Sequence, residues 1–311
     1  EIRLSLVGSE MCIRDRGFIQ SASVPLRALY DRPLVNDKNT TFDNLPEVCD
    51  IKLDEHQYAV IEQMAKERRE FWLEFDIRNH FKLGPVKYHN VVASIKGTKY
   101  PDEYVIISGH LDAFDVATGG IDCGTGIGPM MEAARLIALS GAKPKRTILF
   151  IAFAGEEFGL LGAKAYARTH QNELGKIANL FNRDGGPTPP IGISVPQAMY
   201  DDFVEICKPV KNINPDFPFE VKVAKPRKRP TSTGGTDASV FAVEGVPTYG
   251  FTTDDIKGYN FSYGEIWHTE RDLYTKNIPE YQEHTAVVTA IVALGVANLD
   301  KQLSREGMYK E

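Results

Sequence analysis

The sequence predicts an α/β protein, a three-layer sandwich around a mixed, largely parallel central sheet, and three observations predict it. From Asn90 onward, short apolar runs alternate with segments of helical period. The apolar runs are nearly continuous, as in strands covered on both faces. Several of them stop at an ionisable side chain, and open sheets of this kind present ligands at the carboxyl ends of their strands. The strands expected are NVVASIKG, EYVIISGH, RTILFIAFAGEE, KIANLFNRD, FEVKVAK and VPTYGFTT. Helices are expected around PMMEAARLIALSG, LLGAKAYARTH, AMYDDFVEIC and DASVFAVEG. The closing helix, IPEYQEHTAVVTAIVALGVANLD, has Pro279 in its first turn and an apolar stripe through Val287, Ile291 and Leu294. Ahead of this unit, Tyr58, Ile61, Met64, Ala65 and Arg68 fall at helical spacing, and FWLEFDI reads as a short strand.

Composition narrows the function. The chain has 311 residues, 42% hydrophobic and 25% charged, which suits a folded globular protein. Its net charge of -6 provides no basic field for nucleic acid or an anionic membrane, so neither is an expected partner. The cysteines Cys12, Cys49, Cys123 and Cys207 show no CxxC spacing, so no thiolate zinc knot or dense disulfide framework is expected. No apolar run reaches the roughly 18 residues of a membrane span.

Leu6 to Asp15, LVGSEMCIRD, look like the in-frame translation of a transposase adapter used in library preparation. Residues 1–16 are therefore expected not to be native, and fold reasoning begins at Gly17. Residues 17–85 carry too little core to stand alone, residues 86–300 hold the α/β unit, and 301–311 form a polar tail.

The strand ends carry the chemistry. EYVIISG ends at His110, RTILFIAFAG at Glu156 and Glu157, and KIANLFNR at Asp184; Asp122 lies on the glycine loop, and His268 comes late in EIWHTERDL. Imidazole and carboxylate groups gathered at one rim are donors that zinc accepts. His110 and Asp112 are two apart in extended chain, so Asp112 is expected to take the imidazole N–H that a metal leaves free. Glu156 and Glu157 are adjacent and diverge, so one can bind metal while the other reaches a water. No GxSxG elbow competes.

The set GHLD, GGIDCGTG, FAGEEFGLLG, NRDGG and IWHTERD resembles the co-catalytic zinc exopeptidases of peptidase family twenty-eight, which includes bacterial leucyl aminopeptidases and the plasma glutamate carboxypeptidase group. The resemblance implies the zinc exopeptidase fold and two zinc ions, one held by His110 and Asp184, the other by Glu157 and His268, with Asp122 bridging. It implies that the peptide after Asp122 is often cis, that Glu156 is the general base, and that a hydroxide shared by the ions attacks a peptide bond. Residues 17–85 resemble the latter part of a protease-associated domain. The expected activity is that of an aminopeptidase or dipeptidase on short peptides, secreted or periplasmic. Alternatives are a carboxypeptidase on the same centre, a glutaminyl cyclase, or a non-catalytic receptor-like ectodomain, whose degenerate members should show gaps among these ligands.

The chain also departs from the family. Cys123 stands where many relatives carry a second aspartate, and it can either coordinate zinc or fill space; space filling is the favoured reading. Trp267 precedes His268 where some relatives place a tyrosine, leaving Tyr249, Tyr259 or Tyr263 as phenolic donors. Asp237, in STGGTDASVF, and Trp267 are expected in the substrate pocket. Asp272 either buttresses the His268 loop or caps a turn. KPRKRP, residues 225–230, reads as a solvated loop, although it could grip a substrate carboxylate. GTGIG lacks phosphate-loop spacing, and His56, His80, His89, His170 and His284 read as structural or surface residues.

Overall fold

The computed structural model describes residues 17–21, 41–44, 49–53, 55–74, 76, 78, 84–114 and 117–310. The adapter-like residues 1–16, and much of the stretch likened to a protease-associated domain, lie outside the described residues. The chain divides into two compact units, residues 1–86 with 264–271, and residues 87–263 with 272–311.

In the first unit, β1 (Gly17–Ser21) pairs in parallel with β2 (Cys49–Leu53), and α1 (Glu55–Lys66) follows with Ile61 buried. The strand expected at FWLEFDI does not form: residues 71–74 and 76 are irregular, and Trp72 is exposed. An alternating pattern makes a strand only where a neighbour takes up its backbone groups. The described residues supply none there.

The second unit is built on two sheets. In the first, β3 (Val91–Ile95), β5 (Arg146–Phe153), β4 (Tyr100–His110) and β6 (Ile177–Asn182) lie side by side in that order. Strand β4 runs parallel to β5 and β6, and β3 is antiparallel to β5. In the second sheet, β7 (Pro190–Val195) runs parallel to β8 (Glu220–Val223) and antiparallel to β9 (Phe251–Thr253). Asn179 of β6 clamps both backbone groups of Tyr249 at 3.0 Å, and Leu180 N–H donates to Pro247 O at 2.9 Å, so the chain leading into β9 lines the edge of β6. The sequence reading missed β7 altogether. Pro187, Pro189 and Pro190 punctuate its start, and proline there reads as a turn until a strand with the right edge is known.

Five helices cover the sheets: α2 (Gly124–Leu139), α3 (Leu161–Thr169), α4 (Gln197–Cys207), α5 (Ala238–Val243) and α6 (Pro279–Ala297). Along β4 the side chains alternate, so Val105 and Ile107 enter one apolar cluster with Met130, Phe203 and Val292. Ile106 enters another, with Ala163 and Phe241. That is the three-layer arrangement. Each such side chain removed from water contributes about 1.5–3 kcal/mol, which makes the central strands a firm platform for their ends. The stripe expected on α6 is displaced: Val287, Ile291 and Leu294 are partly buried, while Val288, Val292 and Val296 are fully buried. The helix is apolar nearly all round, so periodicity could not choose its inner face. Among the described residues, no helix is long and apolar enough to cross a membrane.

Candidate metal centre

Strand β4 delivers His110 at its last residue, and the chain returns through the glycine loop to α2, which starts at Gly124 rather than near Pro129 as expected. Pro129 has no N–H for the carbonyl of Thr125 one turn earlier, and Arg183 Nε donates to that oxygen instead at 2.9 Å. The helix therefore continues through its proline. Within the loop the Asp122–Cys123 peptide is cis. Gly120 lies so close to the backbone of Leu273 and Tyr274 that a Cβ there would meet Tyr274 N at 2.1 Å. The Asp272 carboxylate accepts Ile121 N–H at 2.7 Å and Asp122 N–H at 3.2 Å, so it holds the backbone that presents Asp122.

Three donors converge here. Oxygen or nitrogen atoms of His110, Asp122 and Glu157, all buried, lie within 4.8 Å of one another. His110 Nε2 is 2.9 Å from Asp122 Oδ1 and 3.4 Å from Asp184 Oδ1, while Nδ1 is 2.9 Å from the backbone oxygen of Asp112. These neighbours are oxygen atoms that can accept an imidazole N–H. Burial opposes a charged ring, yet Cys123, Asp122 and Asp184 together hold His110 above the ordinary histidine range. Burial likewise opposes the Asp184 carboxylate, and His110 beside it holds that group below its usual range. The pocket selects for positive charge.

Asp112 acts differently from the expectation. Its carboxylate stands 3.9 Å from the imidazole, and it is the backbone carbonyl of Asp112 that receives the ring N–H. The carboxylate instead accepts Glu156 N–H at 3.0 Å and Glu157 N–H at 3.1 Å, setting the turn that carries both glutamates. Asn90 secures the same loop at its two ends, accepting Ala154 N–H at 3.0 Å and donating to Gly162 O at 2.9 Å. Burial first, and then the charges of Asp184, Asp237 and Glu157, push the Glu156 carboxyl up to about 9.

The end of β6 supplies Asp184. A chain of polar contacts fixes it: Ser108 Oγ donates to Asn182 Oδ1 and Asn182 Nδ2 to Thr236 Oγ1, both at 2.7 Å, and Thr236 meets Asp184. Asp237 follows, fully buried, with both carboxylate oxygens lacking a hydrogen-bond partner. Burial and the nearby Asp184 push its carboxyl up to about 7. Beside Asp184 opens a cavity of about 420 Å³, walled by Phe251, Phe261, Tyr263 and Gly186. Of the three candidate tyrosines, Tyr259 bonds Glu280 and Tyr249 is buried in the core, whereas Tyr263 lines this cavity with its phenol facing Asp122.

Trp267 and His268 belong to the 264–271 segment of the first unit, where His268 is buried, has φ 59° and stacks on Trp267 with ring centroids 4.1 Å apart. Arg227 of the basic loop donates to Thr248 Oγ1 and bridges to Tyr309 of the tail. His56 and His89 are exposed, His170 stacks on Tyr166, and His284 is buried against Phe217. His80 lies outside the described residues.

The donor set fits zinc: one imidazole nitrogen among several carboxylate oxygens, in a pocket that draws in positive charge. Asp272 and Arg183 were the residues whose roles sequence reasoning left open or missed. Removing the Asp272 carboxylate tests the first of them. Asp272→Ala strands two buried N–H groups, at about 1–3 kcal/mol each, and frees the loop that presents Asp122. The expected result is zinc affinity lower by roughly 10–100-fold, read in a competitive chelator titration.

Comparison with known proteins gives the family. A family model described as Peptidase family M28 matches residues 90–292. Carboxypeptidase Q of Rattus norvegicus is 31% identical over 236 residues, covering 73% of this chain and 46% of that protein. The chain thus spans about half the length of the curated relatives it matches. Among solved structures, a Peptidase M28 precursor from Shewanella amazonensis has a TM-score of 0.69 at 25% identity, covering 94% of this chain and 62% of that one. A zinc aminopeptidase from Bacillus subtilis shares the fold, with a TM-score of 0.52 at 20% identity over 71% of this chain and 53% of that one. With a family model over well more than half its residues and these relatives beside it, the chain belongs to peptidase family M28.

Proposed function

We propose that this chain is the catalytic part of a zinc-dependent exopeptidase, an aminopeptidase or dipeptidase that hydrolyses short peptides carrying a free amino terminus. The observation that carries this reading is the convergence of His110, Asp122 and Glu157 on one point, with Asp184 on the same imidazole. Two zinc ions, with His110, Asp122, Glu157 and Asp184 as the residues that would hold them, would supply Lewis acidity and a more acidic water. Glu156, its turn fixed by Asp112, takes the proton of the attacking water and passes it to the leaving amine. Tyr263 donates its phenolic hydrogen to the substrate carbonyl as negative charge grows on the oxygen. The cavity beside Asp184 receives the amino-terminal residue, whose apolar side chain packs on Phe251 and Phe261, while Asp237, fully buried, stands outside its lining. Export from the cytoplasm accompanies this reading, as the family resemblance implies.

Polarity follows from charge. A free amino terminus is a cation, and the cavity offers it Asp184; the one basic lining residue, Arg183, has its guanidinium occupied by the carbonyls of Thr125, Gly186 and Thr188. The Carboxypeptidase Q relatives favour the second reading, a carboxypeptidase-type exopeptidase on the same centre. A panel of dipeptides separates the two. Cleavage that is lost on N-acetylation and survives C-terminal amidation supports the aminopeptidase; the reverse pattern replaces it with the carboxypeptidase, and cleavage of neither class removes both.

Tyr263 has its own test. Tyr263→Phe keeps the ring in the cavity wall and removes only the donor. The expected result is a fall in kcat of about a hundred- to a thousand-fold with KM nearly unchanged. An unchanged kcat would return the ring to a packing role.

A further inference from the structure

Cys123 is one of the residues that set this chain apart from the pattern it resembles, and two side chains able to hold a metal flank it. Its Sγ, a ring nitrogen of His110 and a carboxylate oxygen of Asp184 all lie within 4.8 Å of one another. The thiol is 2% exposed, and bare backbone closes around it: a Cβ on Gly126 would stand 2.5 Å from Sγ, and one on Gly109 3.3 Å. The sulfur is held where those two donors meet. It donates a hydrogen bond to Arg183 O at 3.0 Å.

Arg183 adds an independent observation. Its guanidinium donates to three carbonyl oxygens, all neutral, and no acidic side chain among the described residues forms an ion pair with it. Cys123 touches the same residue, its Sγ against the Arg183 carbonyl. A half-buried cation gains from a nearby counter-charge, and a thiolate at position 123 would provide one.

Resting on the proposed zinc centre, we infer that Cys123 is itself a metal ligand, binding as a thiolate to the ion held by His110 and Asp184 and giving that position a nitrogen, oxygen and sulfur donor set. On binding, the thiol proton leaves to solvent and the Sγ–metal bond replaces the S–H bond; no oxidation or reduction is involved. A thiolate is soft, so this position prefers zinc, cadmium or cobalt(II) over manganese or magnesium more strongly than an all-carboxylate and imidazole site does. The adjacent position, without sulfur, keeps the ordinary preference.

X-ray absorption at the zinc edge on the full chain loaded with zinc tests this directly. Sulfur scatters at about 2.3 Å, whereas nitrogen and oxygen ligands lie at about 2.0–2.2 Å. The expected result is a sulfur shell that disappears in Cys123→Ser and persists in Cys207→Ser. Cys123→Asp is the second variant should Cys123→Ser fail to fold, and it too should show nitrogen and oxygen ligands alone. Cobalt(II) loading gives a second readout, a near-ultraviolet sulfur-to-cobalt charge-transfer band present in the wild type and absent from either variant. Bound zinc with only nitrogen and oxygen neighbours in the wild type overturns the inference and leaves the exopeptidase reading standing. A sulfur shell that survives Cys123→Ser also overturns it. A chain that binds no zinc at all overturns both.

Discussion

Glu156→Gln should lower kcat by about a hundred- to ten-thousand-fold while zinc content, thermal stability and KM stay close to wild type. The amide is nearly isosteric with the carboxylate, and the bond that sets the turn is made by the Glu156 backbone N–H to Asp112, which the substitution leaves alone. What is lost is a group able to take up a proton and release it. The neighbouring position provides the contrast: Glu157 is buried among the clustered donors, so Glu157→Gln should first reduce the zinc bound. Metal analysis and steady-state kinetics on the two variants distinguish a base from a ligand one residue away. If Glu156→Gln loses zinc as well, or keeps full activity, the assignment of the base fails.

An extended chain sends the adjacent glutamates in opposite directions, whereas the structure carries both on a turn beyond β5, set by Asp112. The strand ends were readable: His110 and Asp184 each follow an apolar run, and an ionisable group at the limit of a buried strand is conspicuous. The hydrogen bonds that orient those groups were not readable. Asp112 faces His110 in a one-dimensional reading, yet its carboxylate turns to the N–H groups of Glu156 and Glu157, which are 44 and 45 residues away. Asp272 serves Ile121 and Asp122 from 151 and 150 residues away. Such partners are chosen by the folded backbone, and no local spacing marks them. Strand β7 was hidden by its prolines and the start of α2 by its glycines, because both residue types signal turns until tertiary contacts such as Arg183 to Thr125 complete the pattern.

Stripping the metal should abolish peptide hydrolysis, restore it on zinc addition, and change the pH dependence of stability in a stated direction. Without ions, folding presses carboxyl groups together: Glu156 is pushed up to about 9 and Asp237 to about 7. An acid whose folded value lies above its unfolded one carries no penalty below the ordinary carboxylate range and the full penalty above the folded value. His110 has the same sign: held above its ordinary value, it contributes stability below pH 6.5 that fades as the pH rises through its folded value. Asp184, held low, contributes stability lost only as pH falls through its folded value, outside this window. The chelated protein should therefore melt at progressively lower temperature from pH 5 to about 9. Zinc reverses these penalties and binds better as its ligands lose protons, so the gain in Tm on loading should widen with pH. At a thousandfold excess over Kd, binding is worth about 4 kcal/mol, or on the order of 10 °C for a unit of this size. Melting curves of chelated and zinc-loaded protein across that range check it. A constant gap between them would mean that these acids do not face the metal, and activity indifferent to chelation would exclude the proposed chemistry.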